Sequence, residues 1–193
     1  MNILVDKLDN IIENKIGRVS FNTDFRISIM FELLMQNGAL DGKQKLQQAL
    51  VLYYPDLTEI NDLETAIDII LWFYRCGKTE LANSKKTDKN TNKNIQIYSY
   101  EFDDVYIYSA FLQQYNIDLQ DIEYLHWWKF KALLNGLNDN TQFVKIMGYR
   151  SIYLGEIKDK EEKKRLKKLK NLYALPDMRT IEQKEADFGK SFW

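Results

Sequence analysis

Apolar residues return every third or fourth position through most of this chain, and that period predicts a mainly α-helical protein. Asp24 stands where a helix cap belongs, Ile27, Met30, Phe31 and Leu34 follow at helical spacing as expected core, and Asn37-Gly38 marks the stop. A second helix follows Asp41-Gly42 and carries Leu46, Ala49, Leu50 and Tyr53. It ends at Tyr54-Pro55, because proline disfavours helical geometry in the residue before it. The third pairs Asn61 with Glu64 as a capping box, repeats Leu63, Ala66, Ile67, Ile70, Leu71 and Tyr74, and meets Gly77 after its last turn; Ala66 and Ile67 are expected to be buried.

The second half repeats the theme. Asp103 or Asp104 caps a helix with Tyr108, Phe111, Leu112 and Tyr115 along one stripe. Asp118 is expected to open a tryptophan-bearing helix that stops near Gly136, and a shorter helix starts at Asn140 or Thr141 and passes through Phe143, Ile146 and Met147. A last helix spans Lys158 to Lys170, its three acids gathered early and its eight bases running to the end, an order that suits the helix dipole. Period-two alternation is confined to Ile11–Thr23, where β-branched residues flank Asn14-Lys15-Ile16-Gly17 and predict a small hairpin, and to the stretch Ile95–Tyr100. From Lys78 to about Asn94 the periodicity gives way to a Lys- and Asn-rich tract that cannot bury enough surface to offset the entropy of ordering it, so a flexible loop is expected over about 78–94. The expected organisation is one compact multi-helix domain, 1–176, with a small N-terminal β-hairpin, followed by a C-terminal tail, 177–193.

Composition narrows the chemistry. A chain of 193 residues with 45% hydrophobic and 13% aromatic residues can build a substantial core. With 28 acids against 27 bases, the net charge of -1 supplies no global field for nucleic acid, so contact with a polyanion would need a local patch. Cys76 is the only cysteine, which removes intramolecular disulfides and thiolate zinc clusters and points to an intracellular protein. No apolar signal core opens the chain and no run approaches the roughly 18 apolar residues of a membrane span, so neither export nor membrane insertion is expected.

No recognisable catalytic constellation is present. Cys76-Gly77-Lys78-Thr79 matches the end of a phosphate-binding loop, but Trp72 occupies the position where that loop needs glycine and the segment follows a helix. His126 stands alone beside Trp127 and cannot form a multi-histidine metal site; it reads as a packed or surface histidine, and Cys76 as a small apolar residue. Asp62, Glu64 and Asp68 lie on the solvent side of their helix, suited to capping and solubility. No cofactor, metal or enzymatic activity is expected. The Lys158–Lys170 helix, with Tyr98, Tyr100 or Tyr149 as stacking surfaces, is the candidate for nucleic-acid contact, although Glu161 with Arg165 and Asp159 with Lys163 are pairs of the solvated-helix type.

The segment Leu125–Arg150 is the richest in contact-forming side chains. Its helix is apolar around more than one face, which favours an interaction protein, with Trp127, Trp128, Tyr149 and Arg150 as candidate partner-binding residues; core packing of the tryptophans is the competing reading.

Five segments follow one another along the chain: Asn22-Thr23-Asp24-Phe25-Arg26, Ala66 through Gly77, Leu125-His126-Trp127-Trp128-Lys129-Phe130, Gly148-Tyr149-Arg150 and Leu172-Tyr173-Ala174-Leu175-Pro176. Together they resemble the phage gene-product-fifteen family of siphophages and prophages of Gram-positive bacteria. The resemblance implies a tail-assembly chaperone in the bacterial host cytoplasm that binds the tape-measure protein, with other tail-assembly chaperones, tail-tube subunits or a second copy of the chain as further partners. A structural or tail-completion subunit is the runner-up, and a nucleic-acid-binding phage protein comes third. An unassembled tape-measure chain, long and largely helical, exposes apolar faces that a helical protein with aromatic grooves could cover.

Overall fold

Seven α-helices and one β-hairpin make up a computed structural model that describes residues 3–8, 11–14, 17–78 and 96–176. The expected loop, apart from Lys78, and the expected tail lie outside those residues. Strands β1 (Ile11–Asn14) and β2 (Gly17–Ser20) pair antiparallel, with Ile11 opposite Ser20 and Asn14 opposite Gly17. The mainly α reading therefore holds, with the hairpin where the alternation placed it. Gln96–Ser99 is irregular.

Helix α1 (Phe25–Gln36) starts at Asp24, whose carboxylate accepts the Arg26 N–H, and stops at Asn37. Its buried residues are Phe25, Ser28, Phe31 and Leu34, whereas Ile27 is half-buried and Met30 is 43% exposed. The inward face is thus turned away from the expected stripe. Ser28 occupies a core position because the buried Tyr53 hydroxyl donates to its Oγ at 2.9 Å, satisfying a polar group that would otherwise be costly there.

Helix α2 (Gly42–Tyr53) begins with a complete capping box between Asp41 and Gln44 and buries Ala49 and Tyr53. A short 3₁₀ turn, Leu57–Glu59, leads to α3 (Leu63–Tyr74). The cap of α3 is Asp62, not Asn61: its carboxylate accepts from the Glu64 N–H and the Thr65 hydroxyl, and the latter holds it below the usual carboxylate range. Ala66, Ile69, Ile70 and Phe73 form the buried face, while Ile67 is only half-buried and Leu63 is 50% exposed. A helix apolar on nearly every side has two defensible rotations. Phe73, packed against Phe21, Tyr53 and Trp128, decides which one is adopted.

Helix α4 (Asp104–Tyr115) buries Ile107, Ala110 and Phe111, with Leu112 at the surface. Helix α5 (Trp127–Asn135) starts nine residues later than the expected Asp118. The intervening chain is held in a non-helical path: Phe25 donates to the Leu125 carbonyl at 2.9 Å, Trp127 donates to the Thr23 carbonyl at 2.9 Å, and Asp24 and His126 form an isolated antiparallel bridge. Tertiary pairing outcompetes local helix formation there. Helix α6 (Gln142–Ser151) is capped by Thr141, and α7 (Lys160–Leu172) by Asp159. Helix α1 packs on α2 and α5, α4 contacts α5 and α6, and α7 lies on α6.

Candidate functional site

The two tryptophans lie inside the protein. Trp127 is fully buried and Trp128 is 6% exposed; their indole N–H groups donate to the carbonyls of Tyr74 (2.9 Å) and Phe73 (2.8 Å). Those carbonyls belong to the last turn of α3, where backbone acceptors have no partner within the helix. Phe130, Phe25 and Phe111 stack in one group, with the Phe130 ring centre 4.8 Å from that of Phe25 and 5.0 Å from that of Phe111.

Arg150 is also buried. Its guanidinium grips Asp103 with two bonds of 2.6 and 2.9 Å and donates to the carbonyls of Ile97 (3.0 Å) and Tyr173 (2.6 Å), tying α6 to the start of α4 and the end of α7. Tyr149 is half-buried, its ring stacked on Tyr173 at 5.8 Å. Of the four expected partner-binding side chains, Trp127, Trp128 and Arg150 are therefore reassigned to the core. Their hydrogen-bonding groups are engaged within the chain, so they build the fold and present no open anchor.

The quoted sequence segments meet one another in space. Arg26 donates to Asp24 and to the carbonyls of Leu119 (2.9 Å) and Ile122 (2.7 Å), and Thr23 shares a 2.7 Å hydrogen bond with Tyr124, so Asn22–Arg26 clamps the chain leading into the tryptophan helix. Gly77, at φ 71°, folds back to donate to the Trp72 carbonyl, and Cys76, at φ 56°, donates to that of Phe73. The amides that a phosphate loop would offer to a ligand close the helix end instead.

Candidate chemical groups are occupied in the same way. His126 Nδ1 accepts from the Trp128 N–H at 3.1 Å and caps α5; burial, aided by the charge of Lys129, lowers its pKa to about 4, so the ring is neutral at pH 7. Burial pushes the Cys76 thiol up, with Lys131 and Lys78 opposing weakly. Lys131 donates to the hydroxyls of Tyr98 (2.9 Å) and Tyr100 (3.3 Å), and its ammonium lies 5.3 Å from the centre of the Trp127 ring. Tyr100 is buried, and both tyrosines are committed to this contact rather than to a stacking platform. Among the described residues, no group of three or more His, Cys, Asp or Glu side chains could hold a metal ion, and no helix is long and apolar enough to cross a membrane.

Open space lies along α1. Eight of its twelve residues are apolar, more than one inward face can absorb, and the excess forms two grooves. The larger, about 790 Å³, runs between α1 and α2 over Met30, Leu33, Leu34, Leu40, Val51 and Leu52, with Asn37, Gln44, Gln47 and Gln48 completing its wall. None of its lining residues is ionisable. Val51 is 60% exposed at its rim and continues the apolar lining to the surface. The smaller groove, 380 Å³, lies on the other side of Met30, with Phe25, Ile107 and Phe130 below and Arg26, Asp104 and Tyr108 at its edge. Met30, assigned to the core by periodicity alone, is the ridge between them. The available sequence signal was the apolar surplus of α1 facing a Val51 that breaks the polar side of α2.

No curated protein and no solved structure gives a significant match to the chain. A family model described as Bacteriophage Gp15 protein matches residues 4–175, a span containing every helix among the described residues and both grooves, and the chain belongs to that bacteriophage family.

Proposed function

We propose that this protein is a tail-assembly chaperone that acts in the cytoplasm of the bacterial host, holding the tape-measure protein until tail-tube subunits replace it. The observation that supports this reading is the uncharged groove between α1 and α2, with Met30 and Val51 exposed beside it. Such a surface suits the apolar stripe of an amphipathic helix, read through anchors one helical turn apart, and a long helical protein awaiting assembly offers many such stripes. Shielding them requires no catalysis, cofactor or metal.

The test is coexpression with overlapping tape-measure fragments, comparing the native chain with Met30→Lys and Val51→Glu. Both side chains are exposed, so thermal stability should change by no more than about 0.5 kcal/mol. Loss of co-purification with folding intact supports the groove; undiminished capture by both variants refutes it. Proteomics of purified virions separates the chaperone from a structural or tail-completion subunit, since a chaperone leaves and a subunit stays.

A further inference from the structure

The outer face of α7 carries a second surface that the apolar groove does not explain. Lys160, Lys163, Lys164, Lys167 and Lys168 follow the spacing i, i+3, i+4, i+7, i+8, which puts all five on one side of the helix, and all five are exposed. Leu166 is buried on the opposite side, where α7 rests on α6. Of the other charges of the helix, Arg165 grips Glu162 through bonds of 2.7 and 2.6 Å, Asp159 caps the first turn, and Lys170 donates to the Ile152 carbonyl at 2.8 Å, while Glu161 is exposed at the first-turn edge of the stripe. Among the described residues, none of the five lysines takes part in an ion pair.

The charge of the chain is strongly divided. Residues 158–170 hold eight bases and three acids, so the rest of the chain has 19 bases against 25 acids, a net of -6 beside a segment of +5. The lysine stripe is short, spanning about 12 Å at 1.5 Å per residue. Charges farther away than about 8 Å are largely screened at physiological salt, so a ligand must match the stripe locally.

We propose that this face of α7 docks an acidic α-helical segment of a partner protein. A helix with carboxylates at the same spacing lies along the stripe, one helical turn against another, and ends where the stripe ends. A nucleic-acid duplex extends past it over a protein whose remaining net charge is -6 and offers no further cationic stripe of this kind among the described helices. The stripe also lacks arginine, whose planar fork favours phosphate; the one arginine in α7 is held by Glu162. This surface is independent of the groove along α1 and of any role in shielding a tape-measure protein.

The test uses the full chain and three probes at low salt: a helical peptide with glutamate at i, i+3, i+4, i+7 and i+8 among alanine and glutamine, a duplex oligonucleotide, and phosphatidylglycerol vesicles. Two variants with equal loss of charge are compared, Lys163→Gln/Lys167→Gln in α7 and Lys43→Gln/Lys129→Gln at exposed positions elsewhere. The acidic peptide should bind tightest, weaken about tenfold when salt rises from about 50 to about 300 mM, and lose about fivefold in affinity only with the α7 variant. Equal losses with both variants, peptide affinity that neither variant changes, absence of peptide binding, or tighter binding of the duplex or the vesicles would each overturn the proposal. Circular dichroism of both variants establishes that any loss reflects the surface and not unfolding.

Discussion

Replacing Arg150 by methionine keeps most of the side-chain stem but removes every charged contact of the buried clamp. The guanidinium holds Asp103 bidentately and satisfies carbonyls from two other segments, while Asp103 is itself fully buried. In Arg150→Met the carboxylate keeps the Ser99 N–H at 2.9 Å but loses its countercharge. Breaking a buried pair by removing one partner costs about 3–5 kcal/mol, because the surviving charge is left in a medium that solvates it poorly. For a protein of this size each kcal/mol lowers Tm by about 2–4 °C, so a fall of about 10 °C is expected by calorimetry. Asp103→Leu/Arg150→Met, which removes both charges, should recover part of that loss. A cost below about 1 kcal/mol for Arg150→Met, or a double variant no more stable than Arg150→Met, would show that the substitution strands no buried charge.

Three further expectations follow from the same packing. His126 titrates near pH 6.5 when unfolded and at about 4 when folded, so between these values the unfolded chain binds more protons; its contribution to stability is complete above about pH 6.5 and lost as pH falls towards 4. Urea midpoints at pH 7 and pH 5 should differ more for the native chain than for His126→Asn, whose amide can still cap α5; identical differences would count against a neutral capping histidine. Gly77→Ala forces a side chain onto a backbone at φ 71° and brings Cβ to 3.0 Å from the Trp128 ring, so a loss of more than about 1 kcal/mol is expected in chemical denaturation. Trp128→Phe removes one of two donors to the Phe73 carbonyl, which keeps the Cys76 N–H, and should cost about 1 kcal/mol, with an unchanged midpoint speaking against that link.

The periodicity by itself determined the class of fold, the hairpin, and most helix ends, because caps and stops are local: Asp24, Asp41, Thr141 and Asp159 each meet amides within a few residues. The segments that mark family membership were equally legible, since their order along the chain needs no coordinates. What α1 and α3 turn inward was not legible. Both helices are apolar around most of their circumference, and only contacts with distant residues, Tyr53 on Ser28 and Trp128 on Phe73, fix the rotation that buries Ile69 and leaves Met30 at the surface. Tertiary pairing likewise held 118–126 out of a helix, through bonds to Thr23, Asp24 and Phe25 about a hundred residues away. The same distance separates what the tryptophans suggested from what they do. A Trp-Trp-Lys-Phe run has the composition of a binding surface and of a core alike, and the two differ only in whether the indole N–H groups face a partner or, as here, the carbonyl end of α3.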